Sequence, residues 1–276
     1  MITLSAFADE IGPDLSLQLD VLARHGIARL DVRGIGGRNV STFTPAQVKE
    51  YRRQMAGRGF SVACIGSPIG KIRLDENFDA HLDLLRTCSD VAHGLDTRYV
   101  RVFSFYASQG RQIADQRQEV MDRFADMLEV ARSQEVVLLH ENEHAIFGQG
   151  PEAVKDLMAA FRGPHLGSIF DPANFCTDGM KPYDDCWRQG LDALTDYFHI
   201  KDYRAGEKAC CPAGQGDGQF DELLADLKGR NWAGVMAIEP HMAAMGQFSG
   251  FSGPELFGKA VEGIQGMLSK HGLEYC

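Results

Sequence analysis

Short apolar runs recur along this chain at a spacing that few folds can use. They end near Phe7, Arg33, Gly66, Ser104, Glu141, Asp171, Lys201 and Glu239, at intervals of 26 to 38 residues. Each interval is the length of one strand plus one helix. The stretches between them carry helix punctuation. Thr44-Pro45-Ala46-Gln47 offers an N-cap, a proline at the first helical position and a capping-box Gln. Ser252 with Glu255 predicts a second box, Gly150-Pro151 opens another helix, and the last helix runs to Lys270-His271 before Gly272. Eight such units without a composition break imply one parallel sheet. Right-handed crossovers then allow an open doubly wound sheet or a closed barrel. Even spacing of eight units favours the α/β class and a closed (β/α)8 TIM barrel, one domain over residues 1–276.

Composition narrows the function classes. With 28 Lys and Arg against 38 Asp and Glu, the net charge is −10, and no basic run concentrates the positive residues. Nucleic acid and anionic membrane are therefore poor partners. No stretch approaches the roughly 18 apolar residues of a spanning helix. The first basic residue is Arg24, after Asp9, Glu10, Asp14 and Asp20, which is not the start of a secretory leader. Seven cysteines, odd in number and without C-x-x-C spacing, read as reduced thiols, mostly buried. A cytoplasmic protein is expected.

A barrel places its chemistry where the strands end. The last four runs meet that demand: Val136-Val137-Leu138-Leu139-His140 leads to Glu141, Leu166-Gly167-Ser168-Ile169-Phe170 to Asp171, Asp196-Tyr197-Phe198 to His199, and Gly234-Val235-Met236-Ala237-Ile238 to Glu239. Strands about 4.8 Å apart can bring four such side chains to one point. Singly, each has a structural explanation: turn chemistry at Asp171-Pro172, a hydrogen-bonded core histidine, a rim carboxylate. Three crowded carboxylates without a counter-charge would repel, and a divalent cation removes the conflict. Three oxygen ligands and one imidazole suit Mn²⁺, Mg²⁺, Co²⁺ or Zn²⁺.

These residues make the chain recognisable. Asn142 after Glu141, Phe170-Asp171-Pro172-Ala173-Asn174, His199-Ile200-Lys201-Asp202, Pro212-Ala213-Gly214-Gln215-Gly216-Asp217 and Ile238-Glu239-Pro240-His241 together resemble the xylose isomerase-like barrels, a family of sugar phosphate isomerases and epimerases. The resemblance implies one divalent metal ion held by Glu141, Asp171, His199 and Glu239. It also implies that Glu141 and Glu239 act as an acid/base pair on opposite faces of a small carbohydrate substrate, moving protons through a metal-stabilised enediolate. Two departures stand out. Asn174 occupies a position where many relatives have His, and Phe147 one where the ketose epimerases carry a further Glu.

Substrate contacts are expected from Lys201, Arg204, Lys71, Ser67, Arg33 and Asn174. Glu143 and His144 are more ordinary loop residues, and Phe7, Phe103 and Phe105 are aromatics of the core type. The Gly214-Gln215-Gly216-Asp217-Gly218 stretch before a helix has the look of a phosphate cradle but lacks the full P-loop pattern, so it reads as a loop. The leading expectation is an isomerase or epimerase. A lyase on the same scaffold, an inosose or dehydroshikimate dehydratase, shares its first proton abstraction. A metal-dependent apurinic endonuclease would need further His and Asp ligands that Asn174 and Asp217-Gly218-Gln219 do not supply. A non-catalytic sugar-binding barrel is the remaining alternative. Barrels of this kind often form homo-oligomers, but no interface is legible.

Overall fold

The computed structural model describes residues 1–242 and 252–276. Eight parallel strands close into a barrel: β1 (Thr3–Phe7), β2 (Arg29–Val32), β3 (Ser61–Ile65), β4 (Tyr99–Val102), β5 (Val137–Glu141), β6 (Leu166–Phe170), β7 (Thr195–Ile200) and β8 (Val235–Ile238). Closure is made by β1 lying beside β8, with Thr3 opposite Val235 and Ala6 opposite Ile238. The helices are α1 (Leu15–Arg24), α2 (Pro45–Ala56), α3 (Phe78–Gly94), α4 (Arg117–Ser133), α5 (Pro151–Phe161), α6 (Pro172–Thr177), α7 (Phe220–Gly229) and α8 (Gly253–Lys270). The expected (β/α)8 barrel is the fold. One unit departs from the regular pattern: after β6, α6 is only six residues long, and short turns of helix at Pro182–Cys186, Trp187–Gln189 and Leu191–Ala193 complete the crossover.

Two apolar layers follow from the period-two alternation of each strand. Phe7, Cys64, Val137, Leu139, Ile169, Tyr197 and Ala237 fill the barrel interior. Their outward neighbours, such as Leu138, Phe170, Phe198 and Ile238, pack under the helices in a much larger cluster. This parity positions the site. Glu141 lies two residues beyond Leu139, Asp171 two beyond Ile169, His199 two beyond Tyr197, and Glu239 two beyond Ala237. Each is the next inward-facing position after an apolar one.

Local signals behaved unequally. The Thr44–Gln47 capping box forms at the start of α2. The Ser252–Glu255 box does not. Ser252 has helical backbone angles and makes no cap bond; its hydroxyl instead donates to Glu10 Oε2 at 3.0 Å and accepts the Met242 N–H at 3.1 Å. A buried carboxylate recruits the hydroxyl that a helix end would otherwise use. All seven cysteines are unbridged, and five of them are buried. No helix among the described residues is long and apolar enough to cross a membrane.

The loop after β3 is locked to the segment after β4. Phe103 N–H donates to Ile69 O at 2.8 Å and Phe105 N–H to Gly70 O at 3.0 Å. Gly70 has φ +90°, and a Cβ there would lie 2.0 Å from Phe103 O. Gly70→Ala is therefore expected to destabilise the protein by about 3 kcal/mol or more, combining backbone strain with a clash against main chain; a urea melt superimposing on wild type would refute this. The Gly70 N–H also donates to buried His81 Nε2 at 2.7 Å. Burial first, and the Arg123 guanidinium second, push the His81 imidazole down to about 4. Above its unfolded value near 6.5 the histidine is neutral in both states. As pH falls from there towards 4, the unfolded chain binds a proton that the folded chain refuses, so stability is lost across that window, up to about 3 kcal/mol. His81→Gln should flatten this part of the stability–pH curve. An unchanged slope would show that His81 does not set it.

Candidate functional site

Glu141, Asp171, His199 and Glu239 meet at the mouth of the barrel, all buried, with one ligand-type atom from each lying within 4.8 Å of the others. The strands fix their directions and local bonds fix their rotamers. Asn142 pairs with the Asp171 backbone, donating from Nδ2 to its carbonyl at 3.0 Å and accepting its N–H at 2.9 Å. Asp171 Oδ1 caps α6 through the Asn174 N–H at 3.1 Å. The turn chemistry read at Asp171-Pro172 is thus real, and it occupies only one carboxylate oxygen. His199 Nδ1 lies 2.9 Å from Glu141 Oε1 and 3.4 Å from Glu239 Oε2, with its ring edge-on to Phe7.

The carboxylates are not without counter-charge, which corrects the sequence argument for a cation. Arg33 donates to Asp9 Oδ2 and Glu10 Oε1 at 2.7 Å each and to Glu239 Oε1 at 2.8 Å. Arg101 Nη1 lies 3.2 Å from Glu141 Oε2 and 3.6 Å from Glu239 Oε1. Lys201 Nζ lies 2.9 Å from Asp171 Oδ2 and 3.7 Å from Glu239 Oε2. Burial works against charge on Glu141 and Glu239, but the cations around them outweigh it and hold both well below the usual carboxylate range. Asp171 goes the other way, raised by burial that Lys201 only partly offsets. His199 would be lowered by burial, yet the Glu141 and Glu239 carboxylates raise it.

Hydrogen bonding still leaves the cluster incomplete. Glu141 Oε2, Asp171 Oδ2 and His199 Nε2 are buried and lack a hydrogen-bond partner of acceptable geometry among the described residues. Two of these atoms face a cation, Glu141 Oε2 at 3.2 Å from Arg101 and Asp171 Oδ2 at 2.9 Å from Lys201, whereas His199 Nε2 has no such neighbour among the described residues. Two carboxylate oxygens met by ion pairs alone and an imidazole nitrogen without a partner, gathered at one point, are a donor set for a hard or borderline divalent cation. The four residues fit such an ion.

A cavity of about 180 Å³ adjoins the cluster, walled by Arg33, Lys71, Arg101, Glu141, Lys201 and Glu239 among others. Three of the expected substrate contacts therefore line it: Lys201, Lys71 and Arg33. Lys71 is half-exposed, pairs with Glu143 at 2.8 Å and sits 4.2 Å from the centre of the Phe103 ring. The other three do not line it. Arg204 turns away on the hairpin of Asp202–Arg204 and Ala209–Cys211, where its Nε donates to Gln215 O at 2.9 Å. Ser67 is wholly buried, its hydroxyl donating to Arg101 O at 2.5 Å. Asn174 is buried behind the cluster and donates to Asn142 O at 2.9 Å and Glu141 Oε1 at 3.4 Å. His144 is exposed and pairs with Asp178, as a loop residue would.

Sequence reasoning missed Arg101, Asp9 and Glu10. Arg101 is buried between the rings of Phe7 and Phe103, 5.1 and 4.9 Å from their centres. A charged residue inside Tyr99-Val100-Arg101-Val102 was the available signal, obscured by ending the run at Ser104 rather than Val102. The glycine-rich loop is explained by a different anion. Asp202 accepts N–H bonds from Tyr203 at 2.7 Å and from Gly214, Gly216 and Gly218 at 2.9 Å each. The donors that might cradle a phosphate are already committed to this carboxylate. Asp202→Ala should strand four backbone donors and lower stability by about 3 kcal/mol or more, measured by urea unfolding; a loss under about 1 kcal/mol would contradict this account.

The family model of the xylose isomerase-like TIM barrel matches residues 19–274, and the chain belongs to that family. Among solved structures it resembles a D-tagatose 3-epimerase-like protein with TM-score 0.77 and 15% identity, covering 98% of each chain. The probable 3-DHS dehydratase AsbF of Bacillus anthracis, involved in petrobactin synthesis, gives TM-score 0.75 at 13% identity over 96% of this chain and 99% of that one. The IolI protein with a bound zinc atom gives 0.74 at 15% identity, over 98% and 99%. At such identities the likeness is one of fold. No curated protein sequence matches the chain.

Proposed function

We propose that the protein is a divalent-metal-dependent isomerase or epimerase acting on a small polyhydroxy carbonyl compound. The observation that carries this reading is the convergence of ligand-type atoms of Glu141, Asp171, His199 and Glu239 within 4.8 Å, at the wall of a polar cavity. When bound, the cation supplies Lewis acidity that polarises a carbonyl and its neighbouring hydroxyl. Glu141 on β5 and Glu239 beyond β8 reach the cavity from separate strands. One glutamate removes the proton from the carbon beside the carbonyl, and the other returns a proton to the enediolate. Return to the opposite face of the same carbon is epimerisation; return to the neighbouring carbon is isomerisation. Arg33 and Arg101 hold the glutamates in place; their positive charge keeps the abstracting glutamate ionised at neutral pH, and its partner must take a proton from solvent before it can return one.

A second reading is favoured by the cavity wall itself. Lys71, Arg101 and Lys201 present cations that suit a substrate carboxylate. A dehydratase of a carboxylated hydroxyketone begins with the same proton abstraction and ends by expelling water.

The test is a chelator-stripped protein reconstituted with Mn²⁺, Mg²⁺, Co²⁺ or Zn²⁺ and offered D-tagatose, D-fructose, L-ribulose and 3-dehydroshikimate in D₂O. One ion per chain is expected, with a higher melting temperature on loading, because an ion that binds only the folded state stabilises it. Asp171→Ala and His199→Ala should lose the ion, whereas Asn174→Ala should keep it. Turnover should place deuterium on the carbon next to the carbonyl. Glu239→Gln should cut turnover by about 10²-fold or more, the scale of a lost acid/base group, with metal content measured alongside. Full activity in a protein shown to be free of metal would overturn the reading. So would product lacking solvent deuterium and internal proton return alike, with Glu239→Gln fully active.

A further inference from the structure

Asp171 has one oxygen to offer a metal. Its Oδ1 is taken by the Asn174 N–H at 3.1 Å, which leaves Oδ2. That oxygen already has a neighbour, the Lys201 ammonium at 2.9 Å, which also stands 3.7 Å from Glu239 Oε2. Lys201 is buried, so little water screens it from these two carboxylates. The four donor atoms of the cluster lie within 4.8 Å of one another. An ion bonded to them would take Asp171 Oδ2 at about 2.0–2.2 Å, and thus compete with the ammonium for that oxygen.

The other cations differ in their freedom to give way. Arg101 is gripped between two aromatic rings, and Arg33 is bonded to three carboxylates. Among the described residues Lys201 makes only the two carboxylate contacts, on a flexible four-carbon stem, and it lines the cavity into which it can withdraw. Three buried carboxylates would repel one another in the metal-free chain, and Lys201 supplies charge at the one among them that neither arginine contacts.

Building on the metal-dependent reading above, we propose that Lys201 is the resident counter-cation of the metal site, displaced from Asp171 Oδ2 when a divalent ion binds. The side chain then points its ammonium into the cavity, where substrate oxygens arrive. Metal loading and the availability of Lys201 to substrate are thereby one event. The lysine also explains how the acidic cluster stays folded before loading.

The experiment uses Mn²⁺ alone as the probe. Isothermal titration of the chelator-stripped full-length protein is compared for wild type, Lys201→Met and Lys201→Gln, with exposed Lys208→Met as the control for a surface charge. Both Lys201 variants should bind Mn²⁺ at least tenfold more tightly than wild type, and Lys208→Met within twofold of it. Metal-free Lys201→Met should melt below metal-free wild type, and the rise in melting temperature on loading should be larger in the variant. If Met at this position prevents folding, Lys201→Gln, which keeps a polar side chain, carries the comparison. Equal or weaker Mn²⁺ binding by the variants overturns the proposal while leaving the metal reading intact. Uptake by the variants alone supports it, because the lysine then blocks the site. No uptake by any of the proteins overturns the metal reading and this proposal together.

Discussion

Like charges forced together at the end of a closed barrel are the constraint from which the rest of this structure follows. Inward parity delivers Glu141, Asp171 and Glu239 to one buried point, with Asp9 and Glu10 close behind. In a medium poor in water such a group cannot remain ionised without compensation. Arg33, Arg101, Lys201 and His199 provide it, and the strands they come from span the barrel. Arg101 extends from β4 to Glu239 beyond β8, on the far side of the mouth. The cations therefore do mechanical as well as electrostatic service, tying opposite walls together through the acids between them.

The same accounting separates structural acids from chemical ones. Asp202 has its oxygens saturated by four N–H donors of its own hairpin and the glycine-rich loop. Glu10 is held by Arg33 and the Ser252 hydroxyl. Asp14 is an exposed helix cap. Glu141 and Asp171 are different, because each gives one oxygen to a local hydrogen bond and turns the other to a side-chain cation at the cluster, Arg101 or Lys201. A carboxylate with two oxygens can be both a fold element and a ligand. Asp171 carries its turn role on Oδ1, and Oδ2 is the atom that the proposed metal role would use.

The barrel was legible because its signal is periodic and repeated. Eight apolar runs at strand-plus-helix intervals cannot easily be misread, and the four central residues stood where the runs stopped. What the sequence hid depended on where chain segments turn. Arg204 lies five residues from His199 and looks like a neighbour, but the backbone folds into a hairpin after Lys201 and carries it outward. Ser67 stands at the end of a strand run, yet its hydroxyl faces the Arg101 backbone. Arg101 was missed for the opposite reason. Setting the end of the run at Ser104 left it inside an apolar run; a two-residue shift leaves the faces unchanged, and Arg101, opposite Leu139 on β5, faces inward with the other site residues. Tertiary demand also overrode a local motif at Ser252, whose hydroxyl serves Glu10.

Asn174 shows how far the family's pattern can be carried onto this chain. Where many relatives have histidine, the side chain here lies behind the cluster, bonded to the Asn142 carbonyl and within 3.4 Å of Glu141 Oε1. An amide in that position orients a ligand and contributes no charge to the cavity. Phe147, which stands in the place of the epimerases' extra glutamate, packs against the apolar core instead. Both changes remove ionisable groups from the surroundings of the cluster. Outside the cluster, the cavity's polar character comes from Arg33, Asn39, Lys71, Arg101, Glu143, Lys201 and His241, residues set by the loops and strands of the first half of the barrel as well as the second. Fold likeness at 13–15% identity is silent about these side chains.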